Sequence, residues 1–247
     1  MSWSPLFSVL FSLPGLLFLV NGLAPLVIWR LIKIPARVQF SPLAADTFFA
    51  DRNPTFCYLD QQLRQLDLVY VTASHFKNGR DQSYFAIYSH RASKTVVTLI
   101  QTGSGIQCFH YVELSRRDRS GKLIGVHNSP QFSAYPRLPD LKVGLHYPQE
   151  WDLGLLWQRL DRLQDRLNFE PAPLEEAEDW YLQIVAEFIA QEADALVQRG
   201  YCREAVNDQG QRSLTLKGAY LMTWCFIFPG QLLKMVGEAR YARRLVG

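Results

Sequence analysis

No Asp, Glu, Lys, Arg or His precedes Arg30 in this chain of 247 residues, and that opening stretch limits what the rest can be. Residues 6–29 form one apolar run. At about 1.5 Å of rise per residue, its 24 residues reach roughly 36 Å as a helix, enough for a tilted crossing of a hydrocarbon core about 30 Å thick. The run is read as a membrane anchor, a single transmembrane helix. A cleaved leader would begin with basic residues, whereas here the bases Arg30, Lys33 and Arg37 come after the apolar run. On that flank they place the N-terminus outside and the main domain in the cytoplasm, with Trp29, Arg30, Lys33 and Arg37 as the membrane-interface residues. Pro14 and the group Asn21, Gly22, Pro25 leave a re-entrant or interfacial course open, because each half alone is too short to cross.

Small residues within the run recur at near-helical steps: Ser4, Ser8, Ser12, Gly15 and Gly22. Such a stripe lets a second helix approach closely, so Ser8, Ser12, Gly15 and Gly22 are the expected docking face for a membrane protein partner. The plainer reading is that Ser and Gly are tolerated in membrane helices.

Residues 1–37 are thus the anchor with its basic flank, and 38–57, with Pro42, a juxtamembrane connector. Residues 58–217 have the length to bury a core as one domain. The net charge of +3 comes from 26 basic and 23 acidic residues spread along the chain, with no run that would track phosphates, so nucleic acid is excluded as a partner. Cys57, Cys108, Cys202 and Cys225 lie far apart, without metal-binding spacing. They are expected as free thiols in a reducing compartment, although an even count also permits two disulfides.

After a helical turn over 58–66, alternation and turn residues predict strands over 68–76, 83–90, 94–102, 106–116 and 122–128. Asn78-Gly79, Gly103-Ser104-Gly105 and the run 118–121 supply the turns. Residues 129–150 hold Pro130, Pro136, Pro139 and Pro148 and have no clear period; a loop of this length either packs by its aromatics or binds something. Two amphipathic helices follow. Asp152 caps the first, with Leu153, Leu156, Trp157, Leu160, Leu163 and Leu167 on its apolar side. The second opens on Glu175, Glu176, Glu178 and Asp179, acids suited to the positive end of the helix dipole, and ends at Gly200. The expected fold class is α+β: the transmembrane helix, then an antiparallel sheet of about five strands covered by C-terminal helices. A small hairpin is expected over 202–215. The last region, 218–247, is a short apolar helix broken at Pro229-Gly230 and a basic tail, either packed on the domain or lying at the membrane surface.

Motifs that would fix a reaction are missing. Gly103-Ser104-Gly105 sits between strands, where a nucleophile elbow needs strand to helix, and the chain has no P-loop and no G-x-G-x-x-G. His75, His90, His110 and His127 fall in or beside predicted strands, and a metal there would need a third ligand such as Glu113 or Asp118. No helical or H-x-H pair supports one, so neither a metal nor a cofactor is expected.

The run 113–130, ELSRRDRSGKLIGVHNSP, and the run 213–224, SLTLKGAYLMTW, taken with the N-terminal span, resemble a loose group of uncharacterised bacterial membrane-anchored proteins. The resemblance implies the same order of strand, charged turn, strand, Pro-rich loop and helices. It brings no activity, so no residue inherits a role from it. The leading expectation is a membrane-anchored binding module, an auxiliary, assembly or scaffold component of a membrane protein complex. The alternative is a membrane-associated enzyme or small-molecule sensor with a pocket lined by the strand histidines.

Overall fold

Alternation after residue 68 builds a six-stranded sheet. The computed structural model describes residues 13–50, 52–78, 81–104 and 107–246. In chain order the elements are α1 (Leu13–Leu31), β1 (Lys33–Pro35), α2 (Ala45–Ala50), α3 (Pro54–Gln65), β2 (Val69–Asn78), β3 (Asp81–His90), β4 (Thr95–Ser104), β5 (Gln107–Arg117), β6 (Leu123–His127), β7 (Lys142–His146), α4 (Leu153–Leu167), α5 (Glu178–Gln198), β8 (Cys202–Val206), β9 (Gln211–Leu214), α6 (Leu216–Phe226) and α7 (Gly230–Val246). The chain divides into two units, the first made of 1–37, 132–136 and 192–237, the second of 38–131, 137–191 and 238–247.

The second unit holds the large sheet, in the order β2-β3-β4-β5-β6-β7. Neighbours pair antiparallel except β6 and β7, which are parallel. The expectation of a purely antiparallel sheet of about five strands is therefore corrected to a mixed sheet of six. The sixth strand comes from the Pro-rich region, where Val143 and Leu145 alternate inward around Gly144 in a run of only five residues. One face of the sheet carries Ala86, Tyr88, Val97, Leu99, Val112, Leu114, Ile124 and Val126 into the main core. On it lie α3, capped by Asn53 with Pro54 in its first turn, and α4, capped by Asp152 as expected. The alternate residues Phe85 and Ile87 point to the other face and meet Tyr181 and Leu182 of α5. The two predicted helices therefore do not share one side: α4 covers one face and the start of α5 the other. A sheet apolar on both faces requires cover on both.

Two buried polar residues tie the main core together. Arg116 is only 3% exposed under α4, and its guanidinium donates to Thr95 Oγ1 at 2.9 Å, Gln164 Oε1 at 2.5 Å and Asp161 Oδ1 at 2.6 Å. Asn128 continues the ladder where β6 ends. Its Oδ1 accepts from Val112 N at 2.7 Å and its Nδ2 donates to Glu150 O at 2.8 Å.

The first unit is built on a three-stranded sheet, β1-β9-β8. The expected small hairpin is β8 and β9; the basic flank adds β1, too short to show a period. Leu214 and Ala219 are fully buried there, beside Tyr201, Cys202 and Leu196, with Ile28, Trp29, Ile32 and Ile34 packed against them. Tyr135 stacks on Tyr201 with ring centroids 5.6 Å apart, so this part of the Pro-rich loop is packed by its aromatics. The apolar run after Lys217 is two helices, parted at Ile227, Phe228 and cis-Pro229. Two glycines allow close approach: a Cβ on Gly218 would lie 2.0 Å from Tyr201 O, and one on Gly230 2.0 Å from Trp224 O.

Candidate functional site

Strand register brings two charge-free segments together. β1 and β9 pair antiparallel with Lys33 opposite Ser213, so α1 enters the small sheet at the same end from which α6 leaves it. The two helices pack along each other as an antiparallel hairpin. No charged residue occurs in α1 before Arg30, nor in the second arm from Gly218 to Leu233. Thirteen of the nineteen exposed large hydrophobic side chains among the described residues belong to this unit. They include Leu23, Leu26 and Val27 on α1 and Phe226, Phe228, Leu232 and Leu233 on the second arm. Single exposed apolar residues are ordinary, but a concentration of them marks a surface that meets something apolar.

Among the described residues, no helix is long and apolar enough to cross a membrane. The expected span of 6–29 lies partly outside the described residues, as do Ser8 and Ser12 of the docking stripe. Of the rest of the stripe, Gly15 is half-buried and Gly22 is exposed, with nothing within 4 Å of where a Cβ would stand. The interface residues divide. Trp29 is half-buried against the core of its unit, with the Arg203 guanidinium 5.9 Å from its ring, and Arg30 is exposed. Lys33 Nζ donates to Ser213 Oγ at 3.0 Å, and Arg37 pairs with Asp194 at 2.9 Å. Asp194 also takes Arg212 at 2.8 Å, and both guanidiniums, Arg37 first, hold its carboxyl below the usual range.

A second constellation lies in the large sheet, on the face that meets α5. Glu113, His127 and His146 stand opposite one another across β5, β6 and β7. Lys142 runs over Gly125 and Gly144, its Cε 3.6 Å from where a Cβ on either would be, and its Nζ reaches Glu113 Oε1 at 2.5 Å. The Phe188 ring of α5 lies 5.4 Å from that ammonium. Burial alone would raise the Glu113 pKa, but Lys142 and then His127 bring it below the ordinary value. The His127 imidazole is pushed down to about 4, first by burial and then by Lys142 and His146, against the pull of Glu113. It is stacked on His146 with centroids 4.7 Å apart, and His146 Nε2 is 2.5 Å from Ser129 O. A carbonyl oxygen can only accept, so His146 donates to it through Nε2. With Glu113 committed to Lys142 and the two rings face to face, nitrogen and oxygen donors do not converge on one point. Among the described residues no group of three His, Cys, Asp or Glu is placed to hold a metal ion.

The other strand histidines go separate ways. His75 is exposed beside Tyr84; His90 bonds the Ser93 hydroxyl at 2.8 Å and sits edge-on to Trp157. His110 is 3.8 Å from Cys108 Sγ, and burial lowers its pKa. Asp118 closes its own turn, accepting from Ser120 N, Ser120 Oγ and Lys122 N. All four cysteines are free, Cys57 and Cys108 exposed, Cys202 and Cys225 buried. Glu178 and Asp179 occupy the first turn of α5, and Glu176 pairs with Arg91. An open groove of about 920 Å³ runs past Lys94, Asp118, Arg119, Lys122, Asn168 and Glu170, charges of both signs.

Sequence reasoning weighed both charge-free segments but one at a time. Their contact depends on the β1–β9 pairing, for which a three-residue strand gives no local signal. Lys142 was equally hidden, in a region without a period.

Fold and geometry define an α+β chain of two units, one carrying a helical hairpin with an exposed apolar surface. Comparison with protein-family models, with curated proteins and with solved structures finds no match for this chain.

Proposed function

We propose that the protein is a membrane-seated binding module, an auxiliary, assembly or scaffold component of a membrane protein complex, in which the α1–α6 hairpin is the seat and the large-sheet unit is what it presents. The observation that carries this reading is the pairing of two charge-free arms with their apolar side chains exposed. The unit's eight basic side chains against four acidic ones fit a negatively charged bilayer surface. In the same reading the run 6–29 crosses once, N-terminus outside and main domain in the cytoplasm, as the basic flank suggests. The re-entrant course is supported by α6 returning along α1.

Vesicle flotation of the purified full chain tests the seat. Leu23 and Leu26 of α1 are 53% and 47% exposed, so L23D/L26D leaves packing intact and places two charges on the apolar surface of the hairpin. Vesicle binding should fall more than about tenfold, given a cost of roughly 2.5 kcal/mol or more for each charge carried into hydrocarbon; flotation equal to wild type rejects the seat. A Ser2→Cys chain labelled with an impermeant maleimide separates the two courses, with exposed Cys57 as the marker for the main domain. Labelling of the two on opposite sides supports the crossing, and on the same side the re-entrant hairpin. Gentle-detergent pull-down should recover a stoichiometric membrane protein partner; a lone monomer rejects the auxiliary role.

A further inference from the structure

We infer that the base of the α1–α6 hairpin is a belt for anionic lipid headgroups, with Arg30, Arg203 and Lys217 as the cations that select the lipid. The inference rests on the membrane seat proposed above and names the surface it prefers. Register polarises charge along the small sheet. Cys202 pairs with Leu214 at the end where the helices attach, while the β8–β9 turn at Asn207, Asp208 and Gly210 lies at the other end, closed by Ala36 N donating to Gly210 O at 2.9 Å. Arg30 ends α1, Arg203 follows Cys202, and Lys217 opens α6, so all three stand at the helix end, and all three are exposed. Asp208 stands in the distant turn, and Glu204 is exposed next to Arg203 in the irregular stretch of β8 between Cys202 and Val206. Asp194 is occupied by Arg37 and Arg212. No ion pair among the described residues involves Arg30, Arg203 or Lys217.

Aromatic rings accompany these cations. Trp29 lies under the Arg203 guanidinium, the Tyr201 ring is 4.8 Å from Lys217 Nζ, and Tyr220 is exposed one turn into α6. Aromatic rings with cations, directly beside charge-free helices, match the chemistry of the headgroup layer, where the rings fit the polar-apolar boundary and the cations meet phosphate. The basic flank expected from sequence thus works in part: Lys33 is bonded to Ser213 and Arg37 is paired with Asp194, and Arg203 and Lys217, from the other end of the chain, stand at the same end of the sheet as Arg30.

The test is flotation of the full chain with vesicles of phosphatidylcholine alone and of phosphatidylcholine with phosphatidylglycerol. The wild type should prefer the anionic vesicles, and R30Q/R203Q/K217Q should lose that preference, roughly fivefold per residue, with binding to neutral vesicles unchanged. R119Q/R162Q/R166Q, three exposed bases of the other unit, makes the same change in net charge and should keep it. Equal binding of the wild type to both vesicles, or an equal loss in the two triple variants, overturns the belt while leaving the seat standing. Competition by soluble glycerol phosphate would overturn it in favour of a discrete phosphate site. Failure of the wild type to bind either vesicle overturns the seat and the belt together.

Discussion

Lys142 and Glu113 meet at 2.5 Å, although their strands are separated by β6, because Gly125 and Gly144 let the lysine stem lie flat across the sheet. The side chains are 21% and 24% exposed, so neither charge is fully hydrated. Lys142→Met removes one partner and leaves a half-buried carboxylate, at a cost of about 1–3 kcal/mol. Adding Glu113→Gln to it should restore part of the loss, because the orphaned charge is then gone. Urea unfolding of the two single variants and the double gives the coupling; equal and additive losses would mean that the pair contributes nothing as a pair.

His127 gives the fold an acid-side weakness. Its folded pKa of about 4 lies below the ordinary 6.5, so the unfolded chain binds the proton more readily between those values. Stability from this residue is full above about pH 6.5 and declines as pH falls toward 4. The depressed Glu113 carboxyl acts in the same direction at still lower pH, since its protonation is also favoured by unfolding. Urea midpoints should therefore drop between pH 7 and pH 5, and His127→Gln should flatten that slope without abolishing the fold. A variant with the wild-type slope would show that another group carries it.

Arg116 and Asp161 are an unequal pair, 3% and 48% exposed. Arg116→Met removes one partner each from fully buried Thr95 and from Gln164 at the same time, and leaves Asp161 without its cation, and should destabilise by roughly 3 kcal/mol. Asp161→Asn keeps an acceptor at a site open to water and should cost under about 1 kcal/mol. Guanidinium unfolding of both variants checks the ranking, and the reverse order would refute it.

What the chain showed in advance follows how local each contact is. The strands β2 to β6 were legible because each pairs with its sequence neighbour through a short turn, and their alternation could be read one strand at a time. β7 was not, because its partner β6 lies beyond a Pro-rich loop, and because Gly144, placed under the Lys142 stem, interrupts an already short apolar pattern. The caps at Asn53 and Asp152 are local chemistry, whereas the choice of sheet face for α4 and α5 depends on residues far apart in sequence, such as Ile87 and Tyr181. Trp29, Arg30, Lys33 and Arg37 could be singled out from order alone. That Lys33 and Arg37 would find Ser213 and Asp194, while Trp29 would be met by Arg203, is set by strand pairing across most of the chain.

Gly218 and Gly22, both in helices of the hairpin, should respond in opposite ways to a larger side chain. Replacing a helical glycine with alanine ordinarily gains up to about 1 kcal/mol. At Gly218 the added Cβ would stand 2.0 Å from a backbone carbonyl, so α6 must move off Tyr201. Gly218→Ala is therefore expected to lose at least about 2 kcal/mol despite the gain in propensity. At Gly22 nothing lies within 4 Å, and Gly22→Leu should fold as well as wild type while extending the exposed apolar surface of α1. If the stripe at Ser8, Ser12, Gly15 and Gly22 seats a partner helix, the same leucine should abolish recovery of that partner in a pull-down while leaving vesicle binding intact. Unchanged recovery would remove the stripe as a docking face, and the thermal midpoints of the two variants would still report the difference between a packed and an open glycine.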